Sequence, residues 1–349
     1  MVGSEVTDFY RHLGPHGPLV SRLCFGTLTM GPFQTNRPPA VAGRLMADAF
    51  RMGVNFFDAA ELYATYRHLR AMLEELRTGA GQGSGLPRPQ PWRPVIASKA
   101  YVYSADGARR SLEKALDELG LGRIDIFLLH EIDSPMTLRG HREALAYLHS
   151  LCDGGVDGAG MGAAGGRLGW TGVSTHSPKV VRAAALEPMV SIIHAIVNQA
   201  GLGIVDGTLQ DMLDAIAFAR SCGKGVYAMK ALGGGHLQNQ AEEAIRFTAT
   251  RPGVDAVAIG IQDENELLFN LAVLRDEAPD PGLTRALAGR HRRLHVEEWC
   301  SGCGTCVEQC THHAIAVDPV TGRAAALPGA CVFCGYCAAR CPEFAIRVL

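Results

Sequence analysis

The sequence predicts an α/β chain: a (β/α)8 barrel followed by a small α+β module at the C-terminal end. Eight short apolar runs alternate with amphipathic stretches through most of the 349 residues, the pattern of buried strands interleaved with half-buried helices. No G-x-G-x-x-G follows the first run, which argues against a doubly wound open sheet. Eight of the eleven cysteines fall between Cys300 and Cys341, which sets the last part of the chain apart.

In order, the eight runs are "SRLCFGTLTM", "VNFFDAA", "PVIASKA", "IDIFLLHEID", "GWTGVSTH", "SIIHAIVNQ", "KGVYAMKA" and "VDAVAIGI". Each is short, enriched in β-branched or aromatic residues, and bounded by Gly, Pro or polar clusters, as strands are. The intervening segment "SADGARRSLEKALDELG" opens on a Ser104 cap and puts Leu112, Ala115, Leu116 and Leu119 on one face. It stops at Gly120, a helix by its period and its ends. "TGAGQGSGLPRPQPWRP" and "CDGGVDGAGMGAAGGRLG" are rich in Gly and read as loops. After the eighth run, "ENELLFNLAVLRDEAP" and "LTRALAGRHRRLHVEEW" each read as a helix, and the second leads into Cys300. The expected division is therefore a barrel over residues 1–294 and a tail over 295–349.

Charge and cysteine usage limit the function classes. Lys+Arg total 33 against Asp+Glu 35, so neither a basic field for nucleic acid nor a polybasic membrane patch is expected. No apolar run approaches the ~20 residues that span a bilayer. The N-terminal "MVGSEVTDFYRHLGPHG" lacks the apolar core of a secretory signal. The expectation is a cytoplasmic protein, whose closely spaced cysteines bind metal rather than form disulfides.

The tail repeats itself. Cys300, Cys303, Cys306, Cys310, Ala314 and Ile315 recur as Cys331, Cys334, Cys337, Cys341, Ala345 and Ile346, each 31 residues later. Each half reads C-x2-C-x2-C-x3-C, and Pro342 follows the second. Zinc modules more often use paired C-x2-C knuckles, whereas three close thiolates suit three corners of a cubane. The tail resembles the bacterial two-cluster ferredoxins over residues 295–349. That resemblance implies a ferredoxin-like iron–sulfur domain with two [4Fe–4S] clusters. One would be held by Cys300, Cys303, Cys306 and Cys341, the other by Cys331, Cys334, Cys337 and Cys310. Thr311 stands where proline is usual in the first half, and His312 and His313 read as surface residues. With few large apolar residues, the tail is expected to depend on its clusters to stay folded.

In a barrel, reactive side chains sit at the C-terminal strand ends. Those ends offer Asp58, Lys99 and His130, with Tyr63 five residues beyond Asp58. Together a carboxylate, an amine, an imidazole and a phenol suit proton transfer to a carbonyl oxygen. A phenol has an ordinary pKa of about 10, and a nearby ammonium held by Asp58 is expected to lower it. "GVNFFDAAELY", "VIASKA", "IDIFLLHEID" and "GVSTH" resemble the aldo-keto reductase superfamily over roughly residues 18–280. The resemblance implies hydride transfer between NADPH and an aldehyde or ketone. It implies Tyr63 as proton donor, His130 orienting the carbonyl, and Asp58 and Lys99 completing the set.

It also implies nucleotide contacts at Gly26, Thr27 and Leu28, at Ser174 (the carboxamide), at Lys230 (facing the pyrophosphate), at Gly260 (the strand-end glycine) and at Asn270 (the adenine). Gln262 replaces an arginine that commonly clamps the 2′-phosphate, and Phe269 a frequent acidic residue. Losing a bidentate cation is a large change, so either NADP(H) or NAD(H) is expected. The sequence thus reads as a carbonyl reductase acting on a small-molecule substrate, with two clusters for electron transfer, sensing or docking. The alternative is a ferredoxin-linked oxidoreductase whose clusters exchange electrons with the barrel or with a redox protein partner, a ferredoxin or flavoprotein.

Overall fold

The computed structural model describes residues 8–78, 92–152, 166–288 and 292–348. Eight parallel strands close into a barrel: β1 (Leu23–Gly26), β2 (Phe56–Asp58), β3 (Val95–Ala100), β4 (Ile124–Leu129), β5 (Leu168–Thr175), β6 (Ile192–Ile196), β7 (Gly225–Met229) and β8 (Ala256–Gly260). Closure pairs Gly260 with Gly26, in register with Asp58 on the next strand. Every apolar run singled out in the sequence coincides with one of these strands, β5 starting one residue ahead of its run.

Two apolar layers show how alternation builds the barrel. Leu23, Phe25, Phe57, Ile96, Phe127 and Ile193 face outward into a layer shared with the surrounding helices. Cys24, Phe56, Ala97, Leu128, Ile192 and Tyr227 face the axis, where Leu13 and Val20 join them from an N-terminal hairpin, Tyr10–His12 with Leu19–Ser21. Successive strand side chains point to opposite faces, so both layers are apolar and the runs read as continuous.

The helix Ala105–Leu119 has the expected ends: Ser104 Oγ accepts from the Gly107 N–H at 3.1 Å, and Gly120 takes φ +68. Only a left-handed residue makes that C-terminal turn cheaply, and glycine has no Cβ to oppose it. Leu112, Ala115, Leu116 and Leu119 are all buried. Most of the two glycine-rich stretches, residues 79–91 and 153–165, lies outside the described residues.

One expected helix is corrected. "LTRALAGRHRRLHVEEW" supplies a short helix, Pro281–Leu287, but Leu294–Val296 forms a strand, β9. It pairs antiparallel with the last strand of the chain, Ile346–Val348. The alternation of Leu294, His295 and Val296 satisfies a strand once a distant partner supplies the ladder. β9 straddles the expected 294/295 division and belongs by its pairing to the tail. Between β9 and Ile346–Val348 lies a second antiparallel pair, β10 (Ile315–Val317) with β11 (Ala324–Ala326); Ile346–Val348 is then β12.

The repeat is visible in the backbone. Positive φ recurs 31 residues apart at Gly302 and Phe333, Gly304 and Gly335, and His313 and Phe344. The short helices Thr305–Glu308 and Tyr336–Arg340 correspond in the same way.

Candidate active site

Alternation also positions the polar groups. Phe56, Ala97, Leu128 and Ile192 point to the axis, so two residues further along come Asp58, Lys99, His130 and His194, one layer higher at the C-terminal mouth. Lys99 is fully buried. Its ammonium donates to Asp58 Oδ1 at 2.6 Å and to the Ala59 carbonyl at 2.8 Å. The Tyr227 hydroxyl donates to the other oxygen, Asp58 Oδ2, at 2.9 Å. Tyr63 enters from a 3-10 turn, Glu61–Tyr63, after which Ala64 at φ +54 redirects the chain into the helix Tyr66–Arg77. The Lys99 ammonium lies 4.9 Å from the centroid of the Tyr63 ring, and that ring meets His130 edge to face at 5.6 Å.

The Asp58–Lys99 pair makes one stability prediction. Lys99→Met leaves a buried carboxylate with Tyr227 alone, and breaking a buried ion pair from one side costs about 3–5 kcal/mol. Chemical denaturation should show that loss, and adding Asp58→Asn should recover much of it. A Lys99→Met protein as stable as the parent would show that the pair contributes nothing to stability.

The protonation states follow from burial. His130 is held neutral, its pKa well below the usual 6.5, by burial first and then by the charges of Lys99 and Lys230. Burial likewise leads in depressing His176 and His194. Below about 6.5 the unfolded chain protonates these imidazoles while the folded barrel resists. Stability is therefore complete above about 6.5 and declines as the pH falls below it toward the depressed folded values. Urea midpoints should drop on acidification from 6.5 with a slope of more than three protons, since burial also depresses His312 (to about 3), His68 and His141, and His194→Gln should remove about one. A flat profile over that window would contradict this assignment.

The Tyr63 phenol departs from its sequence-based expectation. It is pushed well above its ordinary value, by burial first and then by the charge of Asp58. The Lys99 ammonium is matched at contact distance by Asp58, so it does not acidify the phenol, which stays a neutral O–H donor.

A cavity of about 580 Å³ opens beside this cluster, within the size range of small-molecule and cofactor sites. Asp58 and Tyr63 line it, as do Gly26, Leu28, Lys230, Gly260, Gln262 and Asn270. A Cβ on Gly260 would fall 2.3 Å from Thr29 Cγ2, so that wall needs glycine. Thr27 and Ser174 lie outside the lining. The Thr27 hydroxyl donates to the Asp58 carbonyl at 3.0 Å, and Ser174 Oγ accepts from the Glu131 N–H at 2.9 Å. At the Gln262 end, Glu266 accepts from the Gln262 N–H at 2.8 Å, and the half-buried Arg292 faces the same space.

Sequence reasoning missed Tyr227, His194 and Arg292. The inward parity of β6 and β7 could have found the first two. His194 stacks on Tyr227 at 3.9 Å and 7°, and neither of its ring nitrogens has a hydrogen-bond partner among the described residues.

The tail forms part of the cavity wall through Val332, Phe333, Cys334 and Tyr336. Gly234, at φ +73, allows this approach: a Cβ there would lie 1.8 Å from the Val332 carbonyl oxygen. The His236 ring stacks on Phe333 at 4.9 Å and its Nε2 bonds the Cys331 carbonyl. His313 is exposed as expected, but His312 is turned inward, 3.4 Å from the Lys230 ammonium and edge-on to His176 at 5.1 Å. The surface expectation for His312 is thus corrected, because the tail packs against the barrel mouth. The Tyr336 hydroxyl lies 3.4 Å from His130 Nε2, and Tyr336 lines the cavity together with Tyr63.

The eight tail thiols are free of disulfides. Cys331, Cys334 and Cys337 interact electrostatically with Cys310. Cys306 does so with Cys300 and Cys303, and Cys341 packs in the small core beside Cys306. Among the described residues no three ligating side chains converge as a single ion requires. The fourth cysteine of each half accepts a backbone N–H at 3.3 Å, Cys310 from Ala314 and Cys341 from Ala345. Donors aimed at sulfur are what a cluster thiolate uses, so this donor set fits two cubanes.

The comparisons agree with this geometry. A model described as "Aldo/keto reductase family" matches residues 22–269, and one described as "4Fe-4S dicluster domain" matches residues 299–345. The chain belongs to the aldo/keto reductase family, an oxidoreductase with a 4Fe–4S dicluster domain at its C-terminal end. The oxidoreductase YrpG of Bacillus subtilis, itself uncharacterized, is 27% identical over 262 residues, 71% of this chain and 74% of its own. L-galactose dehydrogenase of Arabidopsis thaliana is 27% identical over 241 residues, 66% of this chain and 67% of its own. PA4992, a proposed aldo-keto reductase from Pseudomonas aeruginosa, shares the fold with a TM-score of 0.59 at 24% identity, covering 78% of this chain and 96% of its own. No described helix is long and apolar enough to cross a membrane.

Proposed function

We propose that the barrel reduces the carbonyl group of a small aldehyde or ketone, with NADPH or NADH as the hydride source. The observation that carries this reading is the neutral Tyr63 phenol. It stands between the buried Lys99–Asp58 pair and a neutral His130, at the inner end of the cavity. Bound in that cavity, a reduced nicotinamide would supply the hydride. Tyr63 and His130 would each donate a hydrogen bond to the carbonyl oxygen, polarising it. Tyr63 would then give its proton to that oxygen and regain one from solvent through the cavity. Gly26, Leu28, Gly260, Gln262 and Asn270 would hold the nucleotide, with Lys230 toward its phosphates and Thr27 and Ser174 bracing from behind.

Cys300, Cys303, Cys306 and Cys341 would hold one [4Fe–4S] cluster and Cys331, Cys334, Cys337 and Cys310 the other, supplying one-electron chemistry. We take the tail to begin with β9 at residue 294, one residue ahead of the division expected from the sequence, in a cytoplasmic setting. One observation favours the ferredoxin-linked alternative: Cys334 lines the same cavity as Tyr63. The second cluster would then adjoin the nucleotide site, and a ferredoxin or flavoprotein could be the partner.

Anaerobic assay of the reconstituted protein with 4-nitrobenzaldehyde and each nucleotide tests the reading, with the clusters followed by EPR. Alcohol formation matching nucleotide loss, with the clusters unchanged, is the expected result. Cluster reduction without alcohol would replace it by the alternative.

A further inference from the structure

The two halves of the tail part company at one position. Thr305, at the start of the first short helix, puts its hydroxyl 3.5 Å from Cys303 Sγ, within its own half. Its counterpart 31 residues on, Tyr336, turns into the barrel instead. The Tyr336 oxygen is 3.4 Å from His130 Nε2, and its ring meets His130 edge-on at 6.2 Å and 85°. His130, one of the two groups assigned above to the substrate's carbonyl oxygen, therefore meets the oxygen of a tail residue that lines the cavity together with the other, Tyr63.

Resting on that reading, we propose that Tyr336 is a further residue of the reducing site, its hydroxyl holding the carbonyl-oxygen position until a substrate takes its place. A phenol oxygen and a carbonyl oxygen can accept from the same two donors, so the exchange is direct. Tyr336 is carried on the loop that Gly234 seats against the barrel. A substrate must therefore be a strong enough acceptor to displace a neutral phenol, and it must fit the space its ring shares.

The test uses the intact, iron-loaded protein. Acetate, whose carboxylate accepts from the same two donors, is titrated as the 13C-labelled ion and followed by NMR. Tyr336→Phe keeps the ring and loses the oxygen, so acetate should bind about fivefold tighter, the equivalent of one ordinary hydrogen bond of about 1 kcal/mol. Tyr336→Leu, which also lacks the oxygen, should show a gain as well, and Tyr63→Phe should weaken binding. With 4-nitrobenzaldehyde the Tyr336→Phe gain should sit in KM. Equal acetate affinity in parent and Tyr336→Phe proteins overturns the proposal. So does a large loss of kcat, which would make Tyr336 a proton carrier. Acetate binding needs neither nucleotide nor hydride, so a failure of carbonyl reduction in every protein removes the reductase reading while the titration still decides Tyr336.

Discussion

Tyr63→Phe abolishes carbonyl reduction, by roughly 10²–10⁴-fold for loss of a positioned general acid, and leaves nucleotide affinity nearly intact. The substitution removes one oxygen. The ring stays edge-on to His130 and over the Lys99 ammonium, since both contacts are made by the aromatic face and edge. The Asp58–Lys99 pair also stays whole, because its partners are Tyr227 and the Ala59 carbonyl. The cavity wall keeps its shape, so the nucleotide has little to lose. Single-turnover rates and equilibrium nucleotide titration separate the two effects. Near-normal turnover in the variant would take Tyr63 out of its proposed role, and a matching fall in nucleotide affinity would make it a binding residue instead.

Removing iron unfolds the tail and leaves the barrel standing. The small tail core consists of Cys306, Ile315, Ala324, Cys337, Ala338, Cys341, Ala345 and Ile346. Only Ile315 and Ile346 are large aliphatic residues; the rest are cysteines and alanines. Its strands are three residues long. A core of this size does not offset the entropy of ordering the segment without added crosslinks. The barrel has its own closed sheet and two apolar layers. Chelation followed by limited proteolysis should therefore trim the chain back to about the Pro281–Leu287 helix while the barrel keeps its unfolding transition. A tail that resists protease without iron would show that packing alone sustains it.

The fold was legible where the physics is local. The barrel strands read as unbroken apolar runs because Phe25 and Phe57 face the helices while Cys24 and Phe56 face the axis. Ser104 and Gly120 marked a helix because capping and the left-handed turn are decided within a few residues. The tail's duplication showed in its cysteines and again in the paired positive φ values. What escaped depends on distant partners. Leu294–Val296 becomes a strand only because Ile346–Val348 returns beside it. Tyr227 reaches Asp58 across 169 positions of sequence. Nothing near His312 or Tyr336 signals that the tail docks on the barrel mouth, since Gly234 and the Val332 backbone make that contact by fit alone. The phenol of Tyr63 was misjudged for a related reason: the sequence pairs Lys99 with Asp58, but it does not show how deeply the assembled barrel buries the phenol beside that carboxylate.

The central claim is that reducing equivalents reach the substrate as hydride in the barrel. The most direct measurement supplies NADPH, and then NADH, deuterated at the transferable C4 position, to the iron-loaded protein with 4-nitrobenzaldehyde under anaerobic conditions. Mass spectrometry then locates the label. Deuterium on the former carbonyl carbon of the alcohol, lost together with activity in Tyr63→Phe, is the predicted result. Alcohol formed without deuterium, while the clusters cycle between oxidation states, would show that electrons arrive singly through the tail and would contradict the account.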